Sequence, residues 1–262
     1  MAIRKVAGTA LAIIIILFCF FGFLFIPNDP YATNVAAKFL EPGGEFPFGT
    51  DELGRCVFSR ILWAGKTTIG IILPSAVIVM ALGSLLGLLM GQSTSGKNVL
   101  IDSILNAVTA IPPIAYLVIF IGIWGNSIPT MLIALTASLI LRLIKLVKTL
   151  TEIEFGKAYV MCAISAGASK LKILFMHILP NLTRDIIHFI LLSCAEMIMT
   201  ISGFSLIGLT LGEEVIDWGY MLSSARNYMG LRPELLLYPV AFIFLTAFSF
   251  NYLGKQLERR NF

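Results

Sequence analysis

Residues 158–181 read AYVMCAISAGASKLKILFMHILPN, a polar interlude between two strongly hydrophobic stretches, with Lys157, Lys170 and Lys172 around it and Gly167 inside it. Its first part suits a short helix. Gly167 can supply a turn that residues carrying a Cβ resist, and Leu171 to Leu179 suits a second helix that Pro180 should stop, because proline lacks a backbone donor. Two short helices joined at a glycine form a rigid knob. Such a knob offers a soluble partner a surface to grip and is covalently continuous with the apolar segments on both sides.

The rest of the chain defines its solvent. Of 262 residues, 58% are hydrophobic and 13% charged, with a mean hydropathy of +0.90, which excludes an ordinary soluble globule. A helix needs about 20 predominantly apolar residues to cross about 30 Å of hydrocarbon. Six segments qualify: Ala7 to Ile26, Thr68 to Met90, Leu100 to Trp124, Ile128 to Val147, Ile186 to Leu211 and Leu235 to Leu253. They predict an all-α membrane protein with six transmembrane helices. The first follows Arg4 and Lys5 as a secretory signal would, but its apolar run exceeds the roughly 7–15 residues of a signal core and no small-x-small site precedes Pro27. It reads as a retained anchor.

Four regions follow: an N-terminal helix (1–27), an outer segment rich in Pro, Gly and acids (28–66), a five-helix core (67–254) and a tail (255–262). Within the core, Pro112 and Pro113 should kink or break the third span. Gly83, Gly87 and Gly91, repeating every four residues, should let a neighbouring helix approach closely. Trp218 and Tyr228, in the second outer segment Gly212 to Pro233, suit a membrane interface.

Lys and Arg concentrate in cytoplasmic loops, so their distribution sets orientation. With the N-terminus inside, thirteen fall on the cytosolic side, Arg142, Lys145 and Lys148 among them. Six remain outside (Lys38, Arg55, Arg60, Lys66, Arg226, Arg232), among nine acids. Both termini and the 158–181 loop are then cytoplasmic. The net charge of +4 is a topology signal and not a nucleic-acid footprint.

Catalytic and metal chemistry find little support. The four cysteines fall in separate compartments, Cys19 and Cys194 in spans, Cys56 outside and Cys162 inside, and two histidines, His177 and His188, are too few for a metal cluster. Gly91 to Asn98, GQSTSGKN, imitates a phosphate-binding loop, but Asn98 stands where Ser or Thr would hold magnesium and no α/β domain surrounds it. Glu196 is different. A carboxylate inside a span costs about 2.5–3.5 kcal/mol on insertion scales and usually turns toward protein or a water-filled cavity. It is a translocation-pathway candidate, with Thr200 one turn along the same face and Ser193 nearby, although a carboxyl satisfied by a neighbouring helix fits as well.

The segment 158–181 resembles the cytoplasmic EAA loop of ABC-importer permeases: Ala163, Gly167, Ile178, Leu179 and Pro180 keep its spacing, while Met161 and Cys162 stand where the family has glutamate and its first alanine. Further stretches narrow the resemblance to the dipeptide, oligopeptide and nickel group, second-permease type. Phe48 to Arg60, FGTDELGRCVFSR, is similar to that group's FGTDxxGRDxxSR, with Cys56 for aspartate. SLIGL (Ser205 to Leu209), DWGYMLSSARNY (Asp217 to Tyr228) and FNYLGKQL (Phe250 to Leu257) resemble three more of its motifs, in order.

The resemblance implies a type I ABC-importer permease fold with a coupling helix at Tyr159 to Ser169, in the cell membrane of a bacterium or archaeon. It implies that Tyr159, Met161, Ala163, Gly167, Ala168, Ser169, Ile178, Leu179 and Pro180 couple the chain to an ATPase. It also implies a homologous second permease, two ABC ATPase subunits holding ATP and magnesium, and an extracytoplasmic solute-binding protein, which Asp51, Arg55, Asp217, Trp218 and Arg226 are placed to contact. No cofactor is expected on this chain. Cargo would be short peptides, nickel or other metal chelates. The alternative from the residues alone is a secondary transporter driven by an ion gradient.

Overall fold

The computed structural model describes residues 2–92, 99–209, 211 and 215–258. The described residues form helices α1 (Ala2–Phe21), α2 (Val57–Gly91), α3 (Val99–Thr109), α4 (Pro113–Trp124), α5 (Ile128–Phe155), α6 (Ala158–Ser165), α7 (Lys170–Leu206), α8 (Trp218–Arg226) and α9 (Glu234–Leu257). Among them α1, α2, α5, α7 and α9 are long and apolar enough to cross a membrane. The pair α3 and α4, bent by 83°, makes a sixth span when counted as one. The bend falls where expected: Pro112 is extended at ψ 145° and Pro113 opens α4, where its missing donor costs no helical bond.

Three helices outrun the segments expected from hydropathy by two turns or more. The second starts at Val57 instead of Thr68, because Arg60, although charged, is only 3% exposed and spends its donors inside the protein. The fourth continues past Val147 to Phe155 with Lys148 buried between two acids. Pro180 does not stop a helix: α7 runs continuously from Lys170, not from Ile186, through the proline. A π-turn over Ile173–Ile178 widens the backbone just before Pro180, and the Asn181 side chain donates to the Ile178-adjacent carbonyl of His177 at 2.9 Å. That local repair lets a helix pass a proline.

Close approaches give the helix directions. A Cβ placed on Gly83, Gly87 or Gly91 would lie 2.9 Å from Leu143, 2.6 Å from Val147 and 2.6 Å from Thr151 respectively, so α2 and α5 run parallel along that glycine seam. Helix α1 is antiparallel to α9, with Gly8 against Tyr252 and Cys19 accepting from Thr246 at 3.2 Å. Helix α7 is also antiparallel to α9: Arg184 donates to the Leu257 carbonyl and His188 Nδ1 meets the Gly254 carbonyl at 2.8 Å. One end of the bundle therefore gathers the start of α1, the ends of α2 and α9, and α6. The other gathers residues 26–56 and α8.

The second end is tied by buried polar groups. Asp51 accepts from the Leu53 and Arg55 amides at 2.9 and 3.0 Å, pairs with Arg55 Nε at 2.7 Å and lies 3.4 Å from Arg60 Nε. Arg60 also donates to the Pro30 carbonyl at 3.0 Å. Trp218 is not an interface residue: it is fully buried in the core, its indole N–H donating to the Ile61 carbonyl at 3.0 Å. Tyr228 stacks edge-on against Phe39 at 5.1 Å.

Candidate functional site

Helix α6 ends in a Schellman motif that depends on Gly167. At φ +80° the glycine takes the left-handed conformation, its amide donates to the Ile164 carbonyl at 2.9 Å and the Ala168 amide donates to the Ala163 carbonyl at 3.0 Å. The chain then turns into α7, where Ser169 accepts from the Lys172 amide at 3.4 Å as N-cap. The knob expected from the sequence is thus one short helix and the first turns of a long one.

Its faces are distinct. Val160 is fully buried, and Tyr159, Ala163, Ala168 and Leu179 pack on the core beside buried Ile178. Met161 and Ile164 are 55% and 46% exposed, and Gly167, Ser169 and Pro180 are exposed too. Of the nine residues expected to couple to an ATPase, five face inward and four face out. The Tyr159 hydroxyl donates to Glu154 Oε2 at 2.5 Å, and Lys157 pairs with Glu154 Oε1 at 2.5 Å. Burial, then the bond to Glu154, holds the phenol above its ordinary pKa.

Between the ends, Arg142 of α5 donates to Glu196 of α7 at 3.0 Å, and its other arm reaches the Ile111 carbonyl at the α3–α4 break. Glu196 thus has a neighbouring-helix partner while 42% of its side chain stays exposed. Thr200 donates to the Glu196 carbonyl at 2.7 Å, and Ser193 is buried at 4% exposure. Arg142 lies inside a spanning helix, within the expected span Ile128 to Val147. A cation within an apolar run needs a partner, and that rule applied to Arg142 points to Glu196.

At the opposite end, Asp51, Arg55, Asp217 and Trp218 are all buried at 8% exposure or less, so their side chains hold the frame together and do not form an open contact face; Arg226 is exposed. Asp217 caps α8, its Oδ1 accepting from Gly219 and Tyr220 amides at 2.7 and 3.1 Å and from Ser205 at 3.4 Å. Its Oδ2 has no hydrogen-bond partner. Burial pushes this carboxyl up to about 6. Residues 93–98 of the phosphate-loop imitation, and Glu213 and Glu214, lie outside the described residues.

A bundle of helices long and apolar enough to cross a membrane, broken at a proline pair and carrying a short glycine-capped helix at one end, has the make-up of an integral-membrane protein. Residues 80–262 match the family of binding-protein-dependent transport system inner membrane components, and the chain belongs to that family. It is 31% identical over 217 residues to the glutathione transport system permease protein GsiD of Pectobacterium atrosepticum, covering 83% of this chain and 72% of that one. It is 30% identical over 258 residues to the di/tripeptide transport system permease protein DppC of Pseudomonas aeruginosa, covering 96% and 85%. It is 24% identical over 237 residues to the nickel transport system permease protein NikC of Escherichia coli, covering 89% and 84%. In fold it is similar to a chain of the MetNI methionine ABC transporter in an inward-facing conformation, with TM-score 0.58 and 15% identity over 76% of this chain and 97% of that one. The chain is a permease component of a binding-protein-dependent importer, as its family shows, and it has the fold of an ABC-importer permease.

Proposed function

We propose that this permease forms half of a translocation pathway, completed by a homologous second permease, powered by two ABC ATPase subunits and fed by an extracytoplasmic solute-binding protein. ATP and magnesium belong to the ATPases. The end of the bundle that holds α6 and both termini faces the cytosol, in keeping with Lys157, Lys170, Lys172, Arg184 and Lys255 gathered near it.

The observation that carries the reading is the geometry of α6. It is an eight-residue helix turned by Gly167, with Met161 and Ile164 outward and Val160 locked inward. This is a handle that an ATPase can grip and that cannot move without moving the bundle. ATP-driven closure of the ATPases shifts the handle, and the bundle alternates its opening between the two sides. Glu196 and Thr200, near the α3–α4 break, line the proposed path, where irregular backbone in a membrane is tolerated only beside protein or water. Buried Ser193 supports that wall from within. The binding protein docks on the end framed by Asp51, Arg55, Asp217 and Trp218, with exposed Arg226 among its direct contacts.

The names of the relatives, for glutathione, di/tripeptide and nickel transport, support short peptides or nickel as cargo. Uptake of a labelled dipeptide and of chelated nickel is measured in vesicles carrying this chain alone and in vesicles carrying all subunits. ATP-dependent uptake with the full set only supports the reading. Ion-gradient-driven uptake by the chain alone would establish the secondary-transporter alternative.

A further inference from the structure

Glu154 is the last acidic residue of α5 and is only 3% exposed, at the end of the bundle where water would be available to a carboxylate. Carboxylates so rarely bury without need that the group must be spent on partners. Both oxygens are occupied: Oε1 by Lys157 and Oε2 by the Tyr159 hydroxyl. Tyr159 sits in the first turn of α6, and its hydroxyl also lies beside the side chain of Asn181 in α7. One carboxylate therefore gathers the end of α5, the start of α6 and the proline-repaired stretch of α7. Only the short turn 156–157 connects α5 to α6 along the chain, and Gly156 within it gives the backbone little stiffness.

We propose that Glu154 is a positioning residue for energy coupling: with Tyr159 and Asn181 it welds α6 to α5 and α7, so that displacement of α6 is delivered to both long helices as one rigid body. The inference rests on α6 being the ATPase handle. Without the weld, α6 would swing about Gly156 and Gly167 and absorb the motion locally. The bonds to the carboxylate are charge-assisted, the stronger class, and the carboxylate itself is buried although its Lys157 partner is 46% exposed.

The test uses the assembled importer in lipid nanodiscs, with cysteine-free partner subunits. Native Cys162 on α6 is exposed whereas Cys19, Cys56 and Cys194 are buried, so a nitroxide label goes to α6 selectively. A second label is placed on α5 by Ile133→Cys or on α7 by Met199→Cys, both exposed positions far along those helices. Both distances should keep narrow distributions with and without ATP. Tyr159→Phe, which removes one hydroxyl and keeps the packing, and Glu154→Gln should broaden them. Stimulation of ATP hydrolysis by the binding protein should fall by about fivefold or more, the low end of ordinary coupling energies. Unchanged distributions and stimulation in Tyr159→Phe would overturn the weld while leaving α6 as the docking helix. Failure of the native chain to assemble with the ATPases would overturn both.

Discussion

Arg142 and Glu196 form an ion pair of 3.0 Å between α5 and α7, two helices long enough to cross a membrane. Each side chain remains partly exposed, so the pair falls between the about 0–1 kcal/mol of a surface pair and the about 3–5 kcal/mol lost when one partner of a buried pair is removed. Glu196→Ala should lower stability by about 1–3 kcal/mol because it strands the guanidinium. The double variant Arg142→Gln with Glu196→Gln should lose less than the sum of the two single variants. A double-mutant cycle by thermal unfolding in detergent measures it; additive losses would mean that the two charges do not interact.

The glycine seam predicts a contrast between two substitutions in the same helix. A Cβ on Gly87 would meet Val147 Cβ at 2.6 Å and the Ile144 carbonyl at 2.9 Å, so Gly87→Ala must push α5 away, at a cost of about 1–3 kcal/mol. Gly70 of α2 has nothing within 4 Å of such an atom, and Gly70→Ala should stabilise by about 0.5–1 kcal/mol through helix propensity. Unfolding midpoints of the two purified variants should move in opposite directions.

Lys148, 7% exposed, bonds Asp102 of α3 and Glu152 of its own helix, both at 2.7 Å. Among the described residues this cation is the charged tie from α3 to the bundle, so it pins the helix. Lys148→Met should speed amide hydrogen exchange across 99–109 by about tenfold or more, as expected for loss of a charged hydrogen bond worth about 1.5 kcal/mol. Exchange in α9 should not change.

Asp217 gives a pH signature. Its carboxyl is pushed by burial from 3.8 up to about 6, so the folded protein holds that proton more tightly than the unfolded chain. Its contribution to stability is complete below about pH 4 and is lost as pH rises through about 6, a change on the order of 3 kcal/mol. Asp217→Asn keeps the cap acceptor and should flatten the profile over that window. Asp217→Ala should also flatten it but lose about 1 kcal/mol at every pH with the cap. Denaturation between pH 4 and 7.5 checks both; an Asn variant with the native slope would assign the titration elsewhere.

Much of this was legible in the sequence. Apolar run lengths gave the spans, Pro112 and Pro113 the break, and the i, i+4 glycines a close helix approach without its partner, because each rests on a local rule. What hydropathy missed is charge satisfied at a distance. Arg60 and Lys148 fall outside the expected spans and Arg142 inside one, and only the fold brings Asp51, Asp102 and Glu196 to them. Pro180 misled for a similar reason: its stop was cancelled by a π-turn and by Asn181, neither of which has a sequence signal as plain as proline itself. The outer motifs read as a contact surface because they carry charge and tryptophan. Asp51, Arg55, Asp217 and Trp218 are instead buried ties, and short-range pattern cannot separate a residue that binds a partner from one that shapes the segment that does.

The most direct measurement is a site-specific cross-link from α6 to the ATPase in the assembled importer. Native Cys162 and an introduced Ala166→Cys both lie exposed on or at the end of that helix, so a short bifunctional reagent can reach a facing cysteine in the ATPase. Cross-links from both positions are expected, with yields that change on ATP binding, while Leu237→Cys on α9, exposed near the other end of the bundle, gives none. Absence of any α6 cross-link in a complex that hydrolyses ATP would contradict the account.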